Sequence, residues 1–226
     1  MKPSPLLLLT LSTSIITFQY AFAQNHADAP TPFPMPDNRV ADSYAIYSIL
    51  MPVGETARKN WPHDLWLVRD TTQTFIPPNE PCRPAVTSQR PTDNSTNPHV
   101  AVTPSEDRRR DYEEILEDWD SHCHDRILLD RHAWHTTVPV LLLDEKAQSN
   151  FQAMRDSTVS GTVDPYQGAP ALYGFSMVFF NKAHSVALVY ATQWCGNLCA
   201  EGMWIALALE DGQWKRLKWS AVYSVS

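Results

Sequence analysis

From Leu172 onward the chain alternates. Phe175, Met177 and Phe179 are interleaved with Ser176 and Val178, then come Val186, Leu188 and Tyr190, and then Ile205, Leu207 and Leu209. A period of two places alternate side chains on opposite sides of a strand, so each run reads as a strand with one face more apolar than the other. The connections between the runs are short, which makes the strands antiparallel neighbours, because a parallel crossover needs a dozen or more residues. The last third of the molecule is therefore expected to be a meander of about four strands.

Upstream the period changes. Val40, Tyr44, Tyr47 and Met51 recur at helical spacing behind a cap at Asp37 or Asn38, and Pro52 and Gly54 supply the stop. A second helix begins after Ser105, whose hydroxyl can accept from first-turn amides, and carries the apolar stripe Tyr112, Ile115, Leu116, Trp119 and Cys123. Asp144 can cap a third, from about Glu145 to Met154. Leu65 to Val68, running into a Thr-rich tail, and Val138 to Leu143 read as short strands. The fold class is thus expected to be α+β, with the C-terminal antiparallel meander packed against a few amphipathic helices.

The last hairpin tests the register. A two-residue loop at Asp211-Gly212 sets Leu209 against Trp214 and Leu207 against Arg216, mixing apolar and charged residues on one face. A three-residue loop, Asp211 to Gln213, sets Leu207 against Leu217 and Ile205 against Trp219, and turns Arg216 and Lys218 to water. The second arrangement is the one expected.

The N-terminus carries an address. Lys2 precedes an apolar core from Leu6 to about Phe18, and the small-x-small triplet Ala21-Phe22-Ala23 follows. The core is about 13 residues long and broken by Thr and Ser, whereas a membrane span needs roughly 20 apolar residues. Residues 1–23 are therefore expected to be a cleaved signal peptide, leaving a chain that does not span the membrane and works in the periplasm or outside the cell. Residues 24–38, with prolines at 30, 32, 34 and 36, read as a disordered leader, and 39–226 as a single domain with a mobile Pro-rich insertion at 77–104.

That compartment governs the cysteines. Cys82, Cys123, Cys195 and Cys199 are an even set in an oxidising environment and admit three connectivities. Cys195-Gly196-Asn197-Leu198-Cys199 can close on itself if the segment turns, which leaves Cys82 to Cys123 as the preferred partner pair. Loop closure makes the local bridge worth about 2 kcal/mol and the long one about 4 kcal/mol. The local spacing is not the two-residue spacing of redox-active dithiols.

The run from Gly174 to Trp219 resembles the C-terminal signature of an uncharacterised family of bacterial exported proteins. The matching residues are Phe175 to Asn181, Ala187 to Tyr190, Cys195, Gly196, Cys199, Gly202 and Gly212 to Lys215. The resemblance implies an exported α+β domain and brings no activity with it. This chain departs from the pattern in having Ala200 where Gly is common, and in a His-rich stretch.

That stretch is one of two candidate sites. His122, His124, His132 and His135 are four of the eight histidines, set among Asp120, Asp125 and Asp130, and imidazole with carboxylate suits zinc or copper. The plainer reading is the polar end of a helix. The other candidate is aromatic: Trp194 borders the cysteine turn, Trp204 falls on the polar face of its strand in the expected register, and together they could form an exposed patch for a glycan, a peptide or another protein. A net charge of −7 lacks the basic footprint of a nucleic-acid partner. There is no G-x-S-x-G elbow, H-E-x-x-H pair, phosphate loop or dinucleotide fingerprint. The balance favours a non-catalytic binding or structural protein of the cell envelope or secretome, with a metal-binding protein or metal-dependent enzyme using residues 122–135 as the alternative.

Overall fold

The computed structural model describes residues 30–51, 65–83, 96–156, 166, 169–196, 199–221 and 223–225. The signal segment, residues 84–95 of the insertion and the residues expected to stop the first helix lie outside them. Among the described residues no helix is long and apolar enough to cross a membrane.

The protein is α+β. Among the described residues the α-helices are α1 (Asp37–Leu50), the single turn α2 (Pro98–Ala101), α3 (Arg109–His122) and α4 (Glu145–Asp156). The main sheet contains β2 (Trp66–Arg69), β5 (Val140–Leu143), β6 (Leu172–Phe175), β8 (Val186–Gly196), β9 (Cys199–Glu210) and β10 (Gln213–Arg216), in the order β10-β9-β8-β6-β2-β5. Two short strands join this sheet off that path: β7 (Phe179–Phe180) pairs β8, and β12 (Tyr223–Val225) pairs β9. The remaining strands form two-residue pairs, β1 (Phe33–Pro34) with β4 (Ile127–Leu128) and β3 (Val102–Thr103) with β11 (Ser220–Ala221).

The meander from β6 to β10 is antiparallel as its short connections require, but the sheet as a whole is mixed. β2 lies between β5 and β6 and is parallel to both. The expected strand from Phe175 to Phe179 is interrupted: the Ser176 amide still donates to the Tyr190 carbonyl at 2.9 Å, but the Tyr190 amide donates to Ser176 Oγ at 2.9 Å, and that hydroxyl donates to the Met177 carbonyl at 2.7 Å. The prolines after residue 30 lie partly in extended chain, with Phe33–Pro34 paired against Ile127–Leu128. The described parts of the expected 77–104 insertion are tied down, because Asn97 donates to the Cys82 carbonyl at 2.9 Å and Cys82 is bonded to Cys123. Ser105 makes no side-chain cap; a 3-10 turn over Glu106–Arg108 leads into α3 instead.

Both faces of the sheet are covered, and this decides the register of the last hairpin. On one face, α1 brings Tyr47 within 5.0 Å of the Phe175 ring, and Asp42 accepts from the Trp214 indole at 3.2 Å. On the other, α3 packs Trp119 against Trp204 at 5.4 Å and against Phe179 at 4.9 Å, while α4 packs Phe151 against Trp194 at 5.8 Å. The expected three-residue loop is overturned. Asp211 and Gly212 form a two-residue turn with φ of 53° and 75°, and Arg216 stands opposite Leu207. Two positive φ values are the signature of a type I′ turn, whose twist matches that of the strands it joins. In this register Trp214 goes to the α1 face beside Phe180, and Trp219 goes to the α3 face, 5.5 Å from Tyr112. Each large apolar residue therefore finds a helix, so alternation alone could not select a register.

The two layers meet around the sheet margin at β7. Asp118 of α3 receives Arg39 of α1 at 2.5 and 2.9 Å and the Phe180 amide at 2.9 Å, and its carboxylate lies 3.1 Å from His122 Nδ1. Arg39 also donates to the Val178 carbonyl at 3.2 Å, so one ion pair joins α1, α3 and the chain leading into β7.

Candidate binding groove

On the α3 and α4 face, the two helices cover opposite ends of the sheet and leave a hollow between them. β8 presents Tyr190, Thr192 and Trp194 there, opposite Trp204, Gly202 and Ala200 of β9. The glycines make room for side chains that line this hollow. A Cβ at Gly202 would come within 2.5 Å of the Tyr190 hydroxyl, and one at Gly174 would collide with Gln73 and lie 2.7 Å from Thr192 Oγ1. The hollow has a volume of about 220 Å³, with Phe75, Tyr190 and Trp194 as aromatic walls and Gln73 and Thr192 as hydrogen-bonding groups. It continues through Arg69 and Gln73 into a second hollow of about 300 Å³ bounded by Thr71, Thr74, Arg126, Glu145 and Gln148.

The polar lining is held in place by defined partners. Thr192 Oγ1 donates to Gln73 Oε1 at 2.6 Å, and the Gln73 amide donates to the Phe175 carbonyl at 2.7 Å, which fixes the Thr-rich segment over the end of β6. The Phe75 ring lies 4.6 Å from that of Tyr190. Gln148 is buried, donates to the Leu143 carbonyl at 2.7 Å and accepts from Arg69 at 2.5 Å. Arg126 reaches Thr71 Oγ1 at 3.4 Å and Glu145 at 3.3 Å. Burial, followed by the neighbouring charges of Asp144 and Glu145, pushes the Asp70 carboxyl above its ordinary value. The second hollow lies at the carboxyl ends of the parallel strands β2 and β5, the edge where open α/β sheets bind ligands.

Trp194 is half-buried and lines this groove. Trp204 does not belong to an exposed patch: it is 3% exposed, enclosed by Trp119, Phe179 and Tyr190. The strand face expected to be polar is covered by α3, so the aromatic surface contains Trp194 without Trp204.

The four histidines of the His-rich stretch are not gathered. His122 Nδ1 lies 2.9 Å from the Asp118 carbonyl. His132 is exposed and receives Arg131 Nε at 3.0 Å, while the His135 amide donates to Ser48 at 2.9 Å. Among the described residues, one group of three potential metal ligands lies within 4.8 Å: Cys82, Cys123 and His124. Its sulfurs are joined as a disulfide, and the buried Nδ1 of His124 has no hydrogen-bond partner. The other cysteines pair as Cys195–Cys199 across a Cα separation of 5.3 Å, and no described cysteine is free.

The groove residues missed by sequence reading are Arg69, Gln73, Phe75, Arg126, Gln148 and Thr192. They come from segments far apart in the chain and share no spacing. Two local signals did exist: the run Thr71-Thr72-Gln73-Thr74 directly after a strand, and Gly174 and Gly202, two of only seven glycines, each placed inside a strand. Comparison with protein-family models, with curated proteins and with solved structures finds no match to this chain.

Proposed function

We propose that the chain is an exported, non-catalytic binding domain of the periplasm or extracellular space, and that its ligand lies along the groove between α3 and α4. The observation that carries this reading is the groove's lining: flat apolar rings at Trp194 and Phe75 beside the side-chain amide of Gln73 and the hydroxyl of Thr192. Rings that cover an apolar face, with polar groups that fix orientation, suit an extended glycan or peptide. The N-terminal signal pattern, the C-terminal strand signature and the two disulfides support export. Titration of the purified mature protein with panels of oligosaccharides and peptides tests the reading. Trp194→Ala is expected to weaken the best ligand by roughly tenfold or more, with an unchanged circular-dichroism spectrum; undiminished binding would overturn the groove assignment. Mature protein recovered from the periplasm or medium is expected to begin at Gln24.

A second reading, metal binding, draws on His124. Reduction of Cys82–Cys123 by a dithiol, which supplies two electrons and two protons, frees two thiols beside a buried imidazole nitrogen without a partner. Two thiolates and one imidazole form a ligand set for zinc or copper(I). Metal analysis of protein reduced in the presence of zinc, compared with His124→Ala, separates this reading from the first. Equal metal content in the two proteins removes it.

A further inference from the structure

We propose that the Arg69 end of the groove is an oxyanion subsite, which receives a carboxylate, sulfate or phosphate group of the ligand. The inference rests on the groove being the binding surface and specifies what one end of it recognises.

Arg69 closes β2, the middle strand of the parallel trio, and its side chain lines both hollows. Its one hydrogen bond among the described residues goes to a neutral acceptor, Gln148 Oε1, and no described carboxylate lies within 4.0 Å of its guanidinium. A guanidinium has five N–H donors, so most of this group's capacity is unused. Arg39 offers the contrast, because its recessed guanidinium is held by the Asp118 carboxylate. Charges withdrawn from water are ordinarily paired. Burial alone lowers Arg69 below its ordinary value, with no acid acting against it.

The surroundings suit an anion more than a neutral group. Gln148 is anchored by the Leu143 carbonyl, so it holds the guanidinium plane in a set orientation without neutralising it. Arg126 supplies a second cation in the same hollow, with the Thr71 hydroxyl beside it. Its carboxylate partner, Glu145, is 82% exposed, and an exposed ion pair of this kind is readily exchanged for another anion. Arg126 also faces Asp70, which it lowers against the effect of burial. Arg69, with no acid paired to it among the described residues, is therefore the anchor and Arg126 the auxiliary. A volume of about 300 Å³ lies at the small end of ligand pockets and fits one charged unit of a longer ligand, whose remainder would run past Gln73 toward Trp194.

The test is calorimetric and thermal titration of the mature protein with sodium sulfate, inorganic phosphate and acetate at constant ionic strength, followed by an oligogalacturonide and a neutral oligosaccharide of equal length. Saturable binding of at least one small anion is expected, weakened roughly tenfold or more in Arg69→Gln and by a smaller factor in Arg126→Gln. Sulfate and phosphate against acetate distinguish a tetrahedral group from a carboxylate. In anion-free buffer Arg69→Gln is expected to melt at or above the wild-type temperature, because it removes an unpaired charge. A clear fall in that temperature would make Arg69 structural and overturn the proposal. So would anion binding that survives Arg69→Gln. Absence of anion binding, with the neutral oligosaccharide still bound through Trp194, would overturn the subsite and leave the groove standing. Loss of both would remove the two together.

Discussion

Asp118 illustrates how one side chain can hold several elements. Burial pushes its carboxyl upward, but hydrogen bonds from His122, Arg39 and the Phe180 amide outweigh that and leave it at about 2. The hydrogen bond to Asp118 in turn raises His122, against the opposing effect of burial. Linkage follows from these directions. The Asp118 contribution is fully present above the unfolded carboxylate value of about 4 and is lost as pH falls toward about 2. The His122 contribution is fully present below about 6.5 and is lost as pH rises through its elevated folded value. Asp118→Asn is expected to cost on the order of 3 kcal/mol in urea denaturation at pH 6, since it leaves a recessed Arg39 unpaired. In His122→Gln the loss of stability between pH 6 and 8 is expected to flatten, while the acid loss through Arg39 and Asp118 persists. Unchanged pH profiles in both variants would show that the clamp contributes nothing.

At the level of elements, the β9–β10 hairpin shows where local pattern gives out. Helices α1, α3 and α4 fall close to where apolar spacing places them, because a helix expresses its periodicity within one segment, but of the expected caps only Asp144 forms: Pro36, not Asp37 or Asn38, stands at the N-cap of α1, and Ser105 makes no side-chain bond. A hairpin register is also local, but it is normally chosen by which face is buried. Here α1 buries Trp214 and α3 flanks Trp219, so the rule that sends charge to one face and apolar residues to the other has no single face to act on. The turn decides instead, and it depends on Gly212 at a φ of 75°. Gly212→Ala is expected to cost about 1 kcal/mol, measured by chemical denaturation. An unaltered midpoint would mean that the hairpin adapts its turn at no cost. Trp204 departs from expectation for the same reason: the face that alternation assigns to solvent is the floor beneath α3.

At the scale of the whole molecule, the two disulfides act differently. Cys82–Cys123 spans 41 residues and ties the start of the Pro-rich insertion to the end of α3, whereas Cys195–Cys199 spans four at the tip of the longest hairpin. Replacing both cysteines of the long bridge with Ser is expected to lower stability by about 4 kcal/mol, and of the short one by about 2 kcal/mol, in calorimetric unfolding. The reverse order would mean that the hairpin tip carries more of the fold than loop closure allows. What the sequence determined by itself was whatever a single segment or a short spacing can encode: the export signal pattern, the helices, the antiparallel meander and a cysteine pairing set by one tight loop. Tertiary structure alone decided the parallel insertion of β2 between β5 and β6, the burial of both sheet faces, the separation of the histidines and the gathering of Arg69, Gln73, Gln148 and Trp194 along one groove. Those outcomes depend on which helix covers which face of a twisted sheet. That is a property of residues tens of positions apart, and periodicity within one strand carries no record of it.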